Sequence, residues 1–144
     1  GGVAHVKALL EAYPDGAKVA DKNLRLPVHL AARNAADSEV MADLLDAFPE
    51  GAAQADKDGA LPLHDAALTG AVVDVFEVLL ETYPDGAAKT DANGRTPLHF
   101  AVANGAGEES VEVLLEVFPA GASKLDKEGR LPLHAAAANH ASLE

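Results

Sequence analysis

The chain has 144 residues, of which 49 % are hydrophobic but only 4 % aromatic, so its core must consist largely of alanine, leucine and valine. Its net charge of −12 would repel nucleic-acid phosphates and anionic membranes, and we expect neither as a partner. It has no cysteine, which excludes disulfides and thiolate metal sites, and no run of about 18 apolar residues that could span a membrane. These properties, with no recognisable signal peptide, favour an intracellular, cytoplasmic protein.

One short unit recurs four times, each time as a proline followed two residues later by a histidine. The copies are 35 residues apart, and a fixed period of this length is typical of a stacked array of repeats. The period divides the chain into a partial unit at 1–25, full units at 26–60, 61–95 and 96–130, and a partial unit at 131–144. The four pairs are Pro27 and His29, Pro62 and His64, Pro97 and His99, and Pro132 and His134.

Two short helices are predicted in each full unit. The first begins at the proline, whose missing N–H would be unpaired at the first helical position in any case, and ends near a glycine such as Gly70. The second carries Val75, Val78 and Leu79 at the spacing of one helix face. It must end at the aromatic residue that follows, because the next residue is always a proline. These aromatic–proline pairs are at 13–14, 48–49, 83–84 and 118–119.

A turn and an extended segment lead from each second helix to the next proline. The segment Tyr83-Pro84-Asp85-Gly86 has the composition of a turn, and residues 56–59 form a second reversal that opens with aspartate and closes with glycine. Leu24 stands where the other units have that closing glycine. Either Leu24 takes a strained left-handed conformation, or Asn23 takes the unusual conformation in its place.

These residues resemble the ankyrin repeat. Residues 96–101, Thr-Pro-Leu-His-Phe-Ala, match the family's Thr-Pro-Leu-His-x-Ala signature in full, and paired leucines recur in every second helix. The resemblance implies an all-α ankyrin-type solenoid of stacked helix–turn–helix repeats joined by β-turn or hairpin-like loops. Two departures are the period of 35 rather than 33 and the replacement of the threonine that would cap the first helix by Leu26, Leu61 and Leu131.

The four evenly spaced histidines suggest a metal site, but the expected geometry opposes it. Equivalent residues of neighbouring units lie about 8–10 Å apart, whereas zinc ligands lie about 2.0–2.1 Å from the ion. We therefore expect each imidazole to hydrogen-bond backbone groups in its own turn or the next unit, as the resemblance also implies. No metal or cofactor is expected. The sequence has no phosphate loop, metalloprotease motif or nucleophile motif, and Glu108-Glu109 is expected in a solvated loop, so we do not expect an enzyme.

Several positions vary between units while the framework repeats, which predicts a scaffold that binds a protein partner on the turn tips and the first-helix face. Phe100 is the expected anchor. The acidic charge would favour a basic partner, or it serves only solubility; neutral drift on an exposed face would explain the variation equally well. The candidate binding residues are Arg25, Leu30, Arg33, Asp65, Leu68, Arg95, Phe100, Asn104 and Arg130.

The two partial units suggest an alternative function as a structural, self-assembling module. The chain opens with a second helix that lacks its first and closes with a first helix that lacks its second. When the two fragments are aligned with the repeat, Gly1 corresponds to Ala71 and Glu144 to Asp74. The fragments therefore overlap by only four residues and together amount to about one complete unit. The tail of one molecule would then pack on the head of another, in a ring or a filament. The competing interpretation is that the ends are tolerated as frayed helices.

Overall fold

The computed structural model describes residues 2–142, in which all regular structure is helical. Gly1 and Glu144, which the head-to-tail alignment used, lie outside the described residues. The α-helices are α1 (Gly2–Ala12), α2 (Pro27–Arg33), α3 (Ser38–Ala47), α4 (Pro62–Thr69), α5 (Val73–Thr82), α6 (Pro97–Ala103), α7 (Glu108–Val117) and α8 (Pro132–Ser142). Short 3-10 helices occupy Pro14–Lys18, Pro49–Ala53, Pro84–Ala88 and Pro119–Ser123.

Helix boundaries follow the prolines and the residues beside them. Each of α2, α4, α6 and α8 begins at the proline of the repeated unit, as predicted. The helix α5 ends at Thr82, and Tyr83 leaves the helical conformation before Pro84. The predicted turn after Tyr83 is in fact a 3-10 helix, because proline sets the φ angle for a first helical turn and the Gly86 N–H donates to the Tyr83 carbonyl. Glu108-Glu109 lies in the first turn of α7 rather than in the loop before it, and it is exposed.

The helices form two layers, which confirms the all-α solenoid. The first helices α2, α4, α6 and α8 stack on one another in chain order, and the second helices α1, α3, α5 and α7 form the other layer. Met41, Phe76 and Val75 of the second layer are wholly buried between them. Ala66 and Ala101 of the first layer are also wholly buried, and these small side chains let neighbouring first helices approach closely.

Each turn tip is closed by an aspartate and bonded to the next tip. The Asp56 carboxylate accepts the backbone N–H groups of Asp58 and Ala60, and Asp21, Asp91 and Asp126 make the same pair of bonds in their own tips. Backbone hydrogen bonds then join successive tips: Lys57 N–H to the Asn23 carbonyl (3.0 Å), Ala92 N–H to the Asp58 carbonyl (2.9 Å), and Lys127 N–H to the Asn93 carbonyl (3.0 Å).

Two non-glycine residues have left-handed backbone conformations. Leu24 has a φ of 61°, so the alternative in which Asn23 takes the unusual conformation is wrong. Asn23 is held because its N–H donates to the Asp21 carboxylate and its carbonyl accepts from Lys57. Ala35, with a φ of 53°, occupies the position that Gly70 has in the next unit. Side chains cost free energy in this conformation, so the first turn tip, which contains Leu24, and the inter-helix loop of the unit 26–60 are both strained.

Candidate functional site

Three of the repeated histidines join their first helix to the segment that closes the same unit. His64 is 1 % exposed; its Nδ1 accepts the Leu61 N–H (3.0 Å), and its Nε2 lies 3.1 Å from the Arg95 carbonyl oxygen. Because Nδ1 accepts, Nε2 must carry the proton and donate to the carbonyl. His29 and His99 make the same two bonds, to Leu26 N–H and the Gln54 carbonyl and to Thr96 N–H and the Arg130 carbonyl. Each is thus a neutral backbone bridge.

The environment of these imidazoles favours the uncharged form. Burial lowers the pKa of His29 and of His64, and it outweighs the hydrogen bonds to backbone that act in the other direction. Both ring nitrogens of each are already engaged with backbone groups. In the part of the chain that the structure describes, no group of three or more histidine, aspartate or glutamate side chains is placed to hold a metal ion.

The first-helix caps differ between threonine and leucine as the sequence indicated. The hydroxyl of Thr96 accepts the His99 N–H at 3.4 Å, which is a long hydrogen bond. Leu26 and Leu61 make no such bond, but both side chains are buried, each with 4 % exposure. Burying a leucine side chain contributes about 1.5–3 kcal/mol, enough to offset the roughly 0.5–2 kcal/mol that a hydroxyl cap supplies.

Three apolar side chains lie on the first-helix face at successive helices. Leu30 of α2 is 40 % exposed, and Leu68 of α4 is 38 % exposed. Phe100 of α6 is partly buried against the core. Its ring meets His64 edge-on with 5.8 Å between ring centroids, and the Arg95 guanidinium lies 4.5 Å from the ring centroid. Phe100 is therefore held in one orientation while part of it stays accessible.

Asp65 lies below this face rather than on it. It is 1 % exposed, and its Oδ1 is 3.1 Å from Nε of Arg33, which is itself partly buried. Burial raises the pKa of Asp65 to about 7, against the opposing effect of Arg33. In the free chain the Asp65 side chain is therefore not accessible to a partner, whereas the Arg33 side chain paired with it is partly exposed. Asn104 is exposed, but its side-chain amide donates to the Phe100 carbonyl at 2.8 Å.

The chain's charges are sorted between the two layers. All four arginines lie at the turn tips or on the first-helix layer, and each is paired with an aspartate: Arg25 with Asp56, Arg33 with Asp65, Arg95 with Asp91, and Arg130 with Asp126. The second helices α3, α5 and α7 carry ten of the 23 acidic residues and no lysine or arginine. The net negative charge is therefore concentrated on the layer formed by the second helices, which is the outer layer of the array.

A cavity of about 510 Å³ opens between α6 and α8 on the first-helix face. Its wall includes five of the predicted binding residues, among them Arg95, Phe100 and Arg130. Asp126, which is not among the predicted binding residues, also lines the cavity and holds Arg130 through an Nε–Oδ2 contact of 3.1 Å. The signal was present, because an aspartate precedes an arginine by four residues at 21/25, 91/95 and 126/130. Leu68 and Asn104 line the same cavity.

Comparison with known families agrees with this architecture. A family model described as ankyrin repeats, in three copies, matches residues 72–144, just over half of the chain. The chain belongs to the ankyrin-repeat family. Ankyrin repeats are generally protein–protein interaction modules and are typically not enzymes. No curated protein sequence matches the chain. Over residues 2–142 of this ankyrin-repeat chain, no helix is long and apolar enough to cross a membrane.

Proposed function

We propose that the chain is a single repeat array that acts as a non-enzymatic scaffold and binds a protein partner on its turn tips and first-helix face. The observation that carries the proposal is the row formed by Leu30, Leu68 and Phe100 on three consecutive first helices. The framework residues of the same helices, such as Leu63 and Leu98, are buried. Apolar side chains left accessible in a row on an otherwise packed surface mark interaction sites.

Phe100 supports the proposal because its position is already fixed. An aromatic anchor loses little conformational entropy on binding when neighbouring groups hold its ring beforehand. Here His64 and Arg95 contact two sides of the ring. The extended concave surface of a solenoid suits such an anchor, since several units contribute to one continuous contact.

We expect peptides selected from a random library on the immobilised chain to bind this face. In amide NMR titrations the largest shift changes should fall on α2, α4, α6 and α8, and not on the outer helices. Phe100→Ala should weaken binding at least about tenfold, because truncating a central aromatic anchor typically costs more than 1 kcal/mol.

Val117→Ala is the matched control, since Val117 is also an accessible apolar side chain (41 % exposed) but belongs to α7 of the outer layer. It should bind the peptides like the original chain. The proposal fails if shift changes map to α3, α5 and α7, or if Phe100→Ala and Val117→Ala bind equally well while both remain folded by circular dichroism.

A second candidate function is head-to-tail self-association. Leu9 on α1 is 69 % exposed, although its equivalent Leu44 is 6 % exposed; Leu133 on α8 is 72 % exposed, although its equivalent Leu98 is 5 % exposed. If these two faces pack on each other between molecules, light scattering should show association that rises with concentration, and Leu133→Asp should abolish it. A chain that stays monomeric up to millimolar concentration rules this candidate out.

A further inference from the structure

We propose that the cavity between α6 and α8 receives an acidic side chain of the partner, bound between Arg95 and Arg130. This inference rests on the proposed function and specifies the chemistry of the partner at the same face. The segment that fits is a peptide in which an aspartate or glutamate is followed or preceded by an apolar residue. Three observations support this proposal: the incomplete pairing of the two arginines, the residues that line the cavity between them, and the distribution of charge over the molecule.

Arg95 is oriented for binding but not saturated. Its guanidinium is stacked on the Phe100 ring at 4.5 Å, and its Nη2 is 3.4 Å from Asp91 Oδ2. Its Nε is buried and has no hydrogen-bond partner in the described structure. A buried donor without an acceptor costs free energy. The Nε atom itself is enclosed, but the Arg95 side chain as a whole is 35 % exposed, and a ligand binds its accessible part. A planar guanidinium in this state matches the two oxygens of a carboxylate.

The aspartates beside the arginines are already engaged by the turn tips. Asp91 Oδ1 accepts the N–H groups of Asn93 and Arg95 at 2.9 and 3.0 Å. Asp126 makes the equivalent bonds with its own tip, and the hydrogen bonds from this backbone are the main cause that lowers its pKa. Negative charge shared with several backbone donors neutralises the neighbouring guanidinium only in part.

Arg130 supplies the second cation. Its Nε contacts Asp126, and its Nη2 is 3.2 Å from Glu128. The Arg130 and Glu128 side chains are 51 % and 72 % exposed, and an exposed ion pair of this kind contributes only about 0–1 kcal/mol. A carboxylate that enters the cavity can therefore replace Glu128 as the partner of Nη2 at little cost.

Part of the remaining wall is apolar and fits the stem of such a side chain or its neighbour. Leu68, Phe100, Ala103, Ala135 and Ala138 line the cavity. Polar residues line the rest of the cavity: His99, Asn104, Asp126, His134 and Asn139. A carboxylate with an adjacent apolar group would thus fill both the cationic and the apolar parts of the 510 Å³ space.

The distribution of charge over the two layers determines which side of the array an acidic partner can approach. The ten carboxylates of α3, α5 and α7 lie on the outer layer. The two layers are separated by a helix-packing distance of roughly 8–10 Å, which is comparable with the Debye length of about 8 Å at physiological ionic strength. An acidic partner is therefore repelled more strongly at the outer layer than at the cavity, where screening weakens the repulsion, whereas a basic partner would be attracted to the outer layer.

The test begins with peptides selected from a random library on the complete chain at physiological salt. We expect the selected sequences to be enriched in aspartate and glutamate next to apolar residues. A synthetic peptide with its acidic residue changed to the amide should bind about tenfold more weakly, and the affinity should fall as salt increases. Arg95→Gln and Arg130→Gln should each weaken binding by a similar factor.

Lys18→Gln is the control because it removes the same charge from the first 3-10 helix, outside the cavity. It should leave the affinity unchanged, and melting curves must show that all three variants are folded. Selected peptides that lack acidic residues, or unchanged binding to both arginine variants, overturn the inference. If such peptides still lose affinity with Phe100→Ala, the proposed binding face stands and only the partner's chemistry is wrong; if Phe100→Ala has no effect, the proposed function fails as well.

Discussion

Replacing His64 with alanine should lower the free energy of unfolding by about 4 kcal/mol. The variant loses both hydrogen bonds of the imidazole and leaves the Leu61 N–H and the Arg95 carbonyl without that partner. Each buried polar group left unsatisfied costs about 1–3 kcal/mol, and the vacated volume adds to the loss. Urea denaturation monitored by circular dichroism measures the change directly.

His134→Ala is the matched control for this prediction. His134 belongs to the same repeated unit and its Nδ1 accepts the Leu131 N–H at 2.9 Å, but it is exposed. Its loss should cost about 1 kcal/mol, since water can replace an exposed hydrogen bond. Equal losses in the two variants would contradict the bridging role of His64. A melting temperature that falls by several degrees with EDTA would instead indicate that the histidines bind a metal.

The effect of His64→Ala should also depend on pH. Burial lowers the pKa of His64 below its ordinary value of 6.5, so the unfolded chain binds a proton more readily than the folded chain. The stability that this histidine contributes is present above about pH 6.5 and is lost as the pH falls through the lowered folded pKa. The difference between the original chain and His64→Ala should therefore be smaller at about pH 5 than at about pH 8.

Asp65 must be held constant in that comparison because it acts in the opposite direction. Its folded pKa is raised from 3.8 to about 7, so the folded chain binds a proton more readily than the unfolded chain. Its ionisation costs stability increasingly as the pH rises between these two values. Since Asp65 is present in both proteins, the part of its contribution that does not depend on His64 cancels when their unfolding free energies are subtracted at each pH. The same comparison in an Asp65→Asn background removes the remaining part, because neighbouring residues need not act additively.

The helix pattern could be predicted because it depends on local chemistry. Proline and the apolar spacing set where the helices begin and end, and the 35-residue period set how they stack. The exposure of individual side chains on the first-helix face could not be predicted, because it depends on contacts between units. Asp65 is equivalent in sequence to Leu30 and Phe100, yet it is buried whereas Leu30 is exposed. Asp65 is paired with Arg33 of the preceding unit, a contact between units that the sequence pattern does not reveal.

The charge distribution shows the same limit. Acidic residues are spread along the whole sequence, but first and second helices alternate along the chain and belong to different layers. Stacking therefore brings the acidic residues of α3, α5 and α7 together, although some 30 residues separate them in sequence. The stacking of Arg95 on Phe100 likewise required the geometry of the tip beside α6.

Replacing Gly59 with alanine should destabilise the chain by about 3 kcal/mol. Gly59 has a φ of 78°, and its new Cβ would lie 2.9 Å from the Ala92 backbone nitrogen of the next tip. The left-handed conformation alone costs a residue with a side chain about 1–2 kcal/mol, and the contact with rigid backbone adds a further cost. The same contact would force the two tips apart and stretch the 2.9 Å bond from Ala92 N–H to the Asp58 carbonyl.

Gly129→Ala separates these two contributions. Gly129 has nearly the same φ, 76°, but a Cβ added there would meet no atom within 4 Å. Its substitution should cost only the conformational part, about 1–2 kcal/mol. The difference between the two variants then measures how much the close stacking of tips stabilises the array. Hydrogen exchange of the Ala92 amide should accelerate in Gly59→Ala beyond its rate in Gly129→Ala, because only the first substitution opens that bond. Equal unfolding free energies with unchanged Ala92 protection would show that the tips are not rigidly stacked at this position.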